Sequence, residues 1–193
     1  MLKFFNLTRS TVFAAVLATG LSTAAQALEY KSIQAEKSSV TFNYKQMGVA
    51  MDGKFKKFSS QLSFDPAKVA AAKATIEIEL ASIDTGSSDA DQEVVGKAWF
   101  NTAAFPKAVF VSNQIKQTAP NQYQVAGKLT IKGQTKDISF PLKHTPQGAT
   151  GQFTGGFILH RADFLIGEGM WAKFDVVAND IQVNFQLTAP AGK

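Results

Sequence analysis

Apolar and polar residues alternate with a period of two along most of the chain. Val40, Phe42 and Tyr44 alternate with Thr41 and Asn43, and Phe58, Leu62 and Phe64 share a parity with Ser60. Ile76, Ile78 and Leu80 alternate with Thr75, Glu77 and Glu79, and Val109 and Val111 lead into Ile115. Tyr123, Val125, Leu129 and Ile131 share one parity across Gly127. Ile138, Phe140 and Leu142 alternate with Asp137, Ser139 and Lys143. Phe153, Phe157 and Leu159 follow, with Gly155 between, and Ile181, Val183, Phe185 and Leu187 alternate with Gln182, Asn184 and Gln186. Each run has one apolar and one polar face, the pattern of a half-buried strand in an antiparallel sheet. Eight such runs predict an all-β sandwich or barrel.

Two interruptions read as short helices. Asp65 and Pro66 supply an N-cap and a first-turn proline for a helix over Ala67 to Ala72. Ser88-Asp89-Ala90-Asp91 opens a second, running to Trp99, with Val94, Val95, Ala98 and Trp99 on one face to cover an end of the sheet. Lys132-Gly133 and Pro120-Asn121 read as hairpin turns. No linker, low-complexity segment or internal repeat divides the pattern, which predicts a single domain over residues 28–193.

Residues 1–27 read differently. Lys3 and Arg9 precede an apolar run from Thr11 to Leu21, and Ala25-Gln26-Ala27 follows as a small-x-small cleavage site. This is the pattern of a secretory signal peptide and places the mature start at Leu28. A run of that length is too short to span a bilayer, which takes about 20 residues. No cysteine follows it to carry a lipid anchor.

Composition narrows the chemistry. The 193 residues include sixteen phenylalanines, two tryptophans, two histidines and no cysteine, so disulfides, thiol nucleophiles and zinc–thiolate sites are excluded. Without Lys3 and Arg9 the net charge of +5 falls to +3, and Arg161 is the single arginine left among the lysines. Nucleic-acid binding calls for arginine forks and basic stripes, which are missing. There is no Gly-x-Ser-x-Gly elbow, Walker loop, dinucleotide motif, HExxH or EF-hand. His144 and His160 are too far apart for a helical metal pair. Glu77 and Glu79 read as the solvated face of a strand.

Three clusters remain. Lys54, Lys56 and Lys57 could hold an anionic head group at a barrel rim, or form an ordinary solvated hairpin. Arg161 and Asp163 lie two apart and could pair structurally or meet a ligand. The aromatic excess, with four methionines, suits a cavity for a long apolar ligand.

Several stretches in order resemble the YceI-like family of exported isoprenoid-binding proteins. They are Ser39-Val40-Thr41-Phe42; Gly53 to Phe58 leading to Leu62-Ser63-Phe64-Asp65-Pro66; Ala81 to Gly86; Trp99-Phe100-Asn101-Thr102; Phe105 to Phe110; Gly127 to Gly133; and Arg161-Ala162-Asp163-Phe164 with Gly167. The resemblance implies an eight-stranded antiparallel, lipocalin-like β-barrel with a helix over the sheet. It implies an elongated interior that binds an isoprenoid lipid, an isoprenoid quinone or a fatty amide. It also implies a periplasmic location, a functional link to membrane cytochromes of the b561 type, and no cofactor of its own. A homodimer is a further expectation. The chain departs from the family where Leu165 replaces the glycine usual after the Asp163-Phe164 motif.

Strand parity and the resemblance together nominate Phe42, Tyr44, Phe58, Trp99, Phe110, Leu129, Phe157, Phe164 and Trp171 as cavity lining. Lys54, Lys56 and Arg161 are the head-group candidates. Three readings follow. The first is a carrier for an isoprenoid lipid or quinone. The second is an enzyme acting on a lipid through His144 or His160. The third is an interaction module whose barrel is packed solid.

Overall fold

The computed structural model describes residues 28–192. Its strands are β1 (Glu29–Tyr30), β2 (Ser39–Gln46), β3 (Val49–Phe55), β4 (Phe58–Ser63), β5 (Lys73–Glu79) and β6 (Ile83–Asp84). After α1 (Ser88–Val94), the single α-helix among the described residues, come β7 (Lys107–Ala119), β8 (Gln122–Ile131), β9 (Gln134–Gln147), β10 (Thr150–His160) and β11 (Asp180–Gly192). All pairings are antiparallel, in the order β4-β5-β7-β8-β9-β10-β11-β2-β3-β6, with β1 beside β11.

The two ends of that order belong to the same pair of bent strands. Only Lys56 and Lys57 separate β3 from β4, and only a 3₁₀ turn at Leu80–Ser82 separates β5 from β6. Across this corner the Lys56 amide donates to the Ser82 carbonyl and the Glu79 amide to the Lys57 carbonyl. The sheet therefore curls on itself. The eleven strands amount to eight staves, two of them bent, plus the short β1. Curling removes the exposed edges that a flat sheet would offer to other chains.

Each of the eight alternating runs of the sequence forms a strand. The additions are β1, β3 and β6. The hairpin expected around Gly53 is instead the middle of β3, and its turn lies upstream at Met47 (φ 48°) and Gly48 (φ 82°). These angles, like those of Lys132 (φ 49°) and Gly133 (φ 75°), suit a two-residue turn whose twist matches the strands.

Parity holds except on β7. A register shift between Ser112 and Gln114 turns the strand over, so Ala108, Phe110 and Ile115 face inward while Val111 is exposed.

Both expected helices are shorter than their sequence patterns. Asp65 Oδ1 accepts from the Ala67 amide in a local turn, leaving only a 3₁₀ turn at Val69–Ala71 before β5 begins. The second helix ends at Val94 rather than Trp99, because Gly96 and the turns through Asn101 (φ 50°) redirect the chain. Its N-cap is Ser87, and Asp91 reaches back to accept from the Thr85 amide and hydroxyl, both at 2.7 Å.

Candidate functional site

The inward faces do not fill the barrel. A cavity of about 530 Å³ opens at the end where β2, β8 and β10 finish and β3, β9 and β11 begin. Its walls are apolar strand residues: Val40, Phe42 and Tyr44 of β2, Phe55 of β3, Ile78 of β5, Leu129 and Ile131 of β8, Phe157 and Leu159 of β10, and Ile181 and Val183 of β11. A size of roughly 300–1,000 Å³ is usual for a small-molecule site.

Behind it lies a smaller cavity of about 130 Å³, walled only by apolar side chains and Ser60. Val40, Ile78, Leu129, Phe157 and Val183 line both. The second space thus extends the first toward the other end of the barrel. Phe140 stacks on Phe157 at 5.6 Å and meets Phe110 at 5.4 Å along its wall. Aromatic rings therefore recur along the length of the interior, set among aliphatic side chains.

Two segments cover the open end. One is α1 with the turn after it, which contributes Asp89, Ala90, Glu93, Val94, Trp99 and Phe100. The other is the loop between β10 and β11, which contributes Ile166, Trp171 and Val177. They meet where Trp171 Nε1 donates to Glu93 Oε1 at 2.9 Å and the Trp99 and Trp171 rings lie 5.5 Å apart.

Arg161 holds the β10–β11 loop in shape. Its side chain is buried. Nε donates to the Ala178 carbonyl, Nη1 to those of Ile166 and Gly167, and Nη2 to those of Trp171, Lys173 and Val177. The guanidinium also lies over the rings of Trp99 and Phe174. Burial lowers its pKa from the usual arginine value. The geometry is that of a loop clamp with every N–H donor spent, and Asp163 takes no part in it. Gly167 (φ 81°) passes so close to Nη1 that a Cβ would collide with it.

The sequence candidates divide accordingly. Phe42, Tyr44, Trp99, Leu129, Phe157 and Trp171 line the larger cavity. Phe110 lines the smaller one, beside Leu129 and Phe157. Phe58 lies at the barrel corner opposite Ile78, half-buried and lining neither. Phe164 is buried at the end of the 3₁₀ turn Arg161–Phe164 and lines neither cavity.

Lys54 and Lys56 correct the head-group expectation. Both side chains are exposed on the outer surface and face Asp84, at 3.8 and 3.7 Å. A backbone hydrogen bond from Gly86, opposed by desolvation and helped by these lysines, lowers the Asp84 pKa. Lys57 pairs with Glu79. The parity of Lys54 and Lys56 is opposite to that of Phe55, which points into the cavity. Arg161 is corrected as well: it touches the cavity but has no free donor for a head group.

Sequence reasoning missed Phe55, Phe100 and the polar rim of Gln46, Thr85, Ser87, Asp89 and Glu93. Phe55 was legible in the alternation of Met51, Gly53 and Phe55. The rim is assembled by loops and carries no periodic signal. Burial raises the pKa of the Tyr44 hydroxyl, and the charge of Asp91 adds to it.

Neither histidine lines either cavity. His160 is exposed, with Nδ1 2.8 Å from Asp180. His144 is buried at the far end among Tyr30, Phe64 and Phe153. Among the described residues, no cluster of histidine, aspartate and glutamate could hold a metal ion, and no helix is long and apolar enough to cross a membrane. The expected signal peptide lies outside the described residues.

Comparisons with known proteins agree with this architecture. Residues 32–189 match the model of the YceI-like domain. A UPF0312 protein of Yersinia pestis is 33% identical over 137 residues, spanning 69% of this chain and 71% of its own. A UPF0312 protein of Yersinia enterocolitica is 32% identical over 151 residues, or 76% and 77% of the two chains. The crystal structure of BcnA from Burkholderia cenocepacia superposes with a TM-score of 0.79 at 41% identity, covering 81% of this chain and 99% of that one. A domain from Saccharophagus degradans, described as polyisoprenoid binding, shares the fold at a TM-score of 0.66 and 20% identity, covering 86% and 99%. By the extent of the match and the identity of its relatives, the chain belongs to the YceI-like domain family.

Proposed function

We propose that this protein is an exported, non-catalytic binding protein that sequesters an isoprenoid lipid or isoprenoid quinone inside its barrel. The observation that carries this reading is the aromatic-walled interior of about 530 Å³ with its 130 Å³ extension, open at one covered end. Such a space suits a long, thin, apolar molecule. Burying each CH₂-sized group of a prenyl chain contributes roughly 0.8 kcal/mol before ordering costs. Affinity then needs few polar contacts, which fits a site without a sharp motif. The fold likeness to the polyisoprenoid-binding domain of Saccharophagus degradans supports the same ligand class.

The open interior weighs against a barrel packed solid, and the placement of both histidines away from it weighs against catalysis by either. Export to the periplasm rests on the pattern of residues 1–27. A quinone-linked membrane cytochrome of the b561 type, or a second copy of the chain, would be the macromolecular partner.

The test is native mass spectrometry of protein isolated from a bacterial periplasm without detergent, followed by organic extraction. The expected result is a chain beginning at Leu28 with a discrete mass excess that extracts as a prenyl lipid or quinone. A bare chain with no affinity for added prenyl compounds would overturn the carrier reading. Protein retained in the cytoplasm with residues 1–27 intact would overturn export.

A further inference from the structure

The larger cavity carries few charges, and they are unevenly placed. Among the described residues, the charged side chains lining it are Asp89, Glu93 and Arg161. Arg161 spends its donors on six main-chain carbonyls. The two carboxylates lie on α1, exposed at the covered end; burial first, and then the charge of Asp91 on the same helix, raises the Tyr44 pKa. The nearby lysines of β3 and its corner point outward and face Asp84. Lys132, the one buried lysine among the described residues, is held by Glu168 at 2.7 Å and the Leu165 carbonyl at 2.6 Å. Among the described residues, the cavity lining thus offers oxygen acceptors and hydroxyls and no free cation; the exposed Lys45, Lys97 and Lys173 of the surrounding segments do not line it.

We infer that the cavity mouth selects amphiphiles by head-group charge, accepting uncharged or cationic polar ends and rejecting phosphorylated ones. The inference rests on the binding role proposed above and deepens it. A chain filling the apolar interior leaves its polar end among Tyr44, Gln46, Ser87, Asp89 and Glu93. A phosphate there would lose water without gaining an arginine or lysine, and would face two carboxylates. A hydroxyl, a quinone oxygen or an amine meets no such penalty. An amine gains from the same acids. Prenyl alcohols, quinones and amines are therefore the ligand class, and prenyl phosphates and diphosphates are excluded although their chains fit.

The test uses three probes with one chain: farnesol, farnesylamine and farnesyl diphosphate. Each is titrated into ligand-stripped protein at low salt, followed by the fluorescence of Trp99 and Trp171, which both line the cavity. Farnesylamine is expected to bind at least as tightly as farnesol, and the diphosphate at least about tenfold more weakly than farnesol. The gap should narrow as salt is raised, because these charges are exposed to solvent. It should narrow also in the double variant Asp89→Asn, Glu93→Gln, in which the new amide oxygen can still accept from Trp171. A diphosphate within tenfold of farnesol overturns the charge rule and leaves the carrier reading standing. A gap that survives both salt and the double variant overturns the role given to the two acids. Failure of all three probes to bind would overturn the carrier reading itself, and the charge rule with it.

Discussion

At the scale of single residues, the far end of the barrel holds an unusual group. His144 is 1% exposed and Tyr30 is fully buried, yet neither imidazole nitrogen of His144 nor the Tyr30 hydroxyl has a hydrogen-bond partner among the described residues. The ring of His144 stacks on Phe153 at 4.8 Å and meets Tyr30 edge-on at 5.1 Å. Burial alone lowers its pKa from the ordinary value near 6.5. The folded chain thus resists a proton that the unfolded chain takes up. Stability is fully present above about pH 6.5 and falls as pH drops below it. Urea unfolding at pH 7.5 and pH 5 should show that loss, and His144→Phe should reduce it. An equal loss in the variant would remove His144 as the cause. The strand parity of Ile138, Phe140 and Leu142 already points His144 inward. That its ring is walled in by aromatics from β1, β10 and the residue after β4 was not legible, because the contacts with Tyr30 and Phe64 join residues far apart in the chain.

At the scale of elements, glycines opposite aromatic rings shape the walls. Gly53 of β3 pairs in register with Phe42 of β2, and a Cβ on it would strike the Phe42 ring. Gly155 of β10 stands in the same relation to Phe185 of β11. The missing side chain leaves room for the ring to lie flat against the partner strand and keep the interior open. Gly53→Ala should push Phe42 into the cavity, weakening prenyl-ligand binding by about tenfold and costing about 1–3 kcal/mol of stability. Parallel ligand titration and urea unfolding would check both. Unchanged affinity would mean that the Phe42 ring has another place to go. Gly53 and its flanking lysines read as a hairpin because glycine and lysine are poor strand formers in isolation, and only pairing with β2 and β6 overrides them. The segment after Asp65 departs in the opposite sense. Alanine propensity favours a helix there, but the short span from β4 to β5 leaves room for a 3₁₀ turn only.

At the scale of the whole molecule, an open interior is itself a stability statement. Residues around a cavity forgo contacts that a packed core would have, so the empty barrel should be less stable than the filled one. A ligand present at a hundred times its dissociation constant would add about 2.7 kcal/mol to the unfolding free energy. Thermal unfolding before and after organic extraction should show a lower midpoint for the stripped protein, restored by adding back the extract. An unchanged midpoint would mean that no extracted molecule had occupied the barrel. The coupling runs through the mouth. The Glu93–Trp171 hydrogen bond and the paired tryptophans tie the β10–β11 loop, which Arg161 holds in shape, to α1 and the turn after it across the opening.

What the sequence determined by itself was local and periodic. Strand parity marks eight of the eleven strands, the inward face of nearly all of them and the aromatic character of the interior, because a period of two survives whatever the strand pairs with, and turn residues mark two of the hairpin turns. It also determined the family, since the ordered motifs are a property of the chain alone. The tertiary structure decided which inward residues pack solid and which face empty space. It decided that Lys54 and Lys56 lie outside, that Arg161 serves the main chain rather than a ligand, and that two acids rather than three lysines stand at the mouth. These outcomes depend on where a curled sheet bends and which loops fold over its end. Such long-range closures bring distant residues together with no periodic trace of the meeting in the sequence.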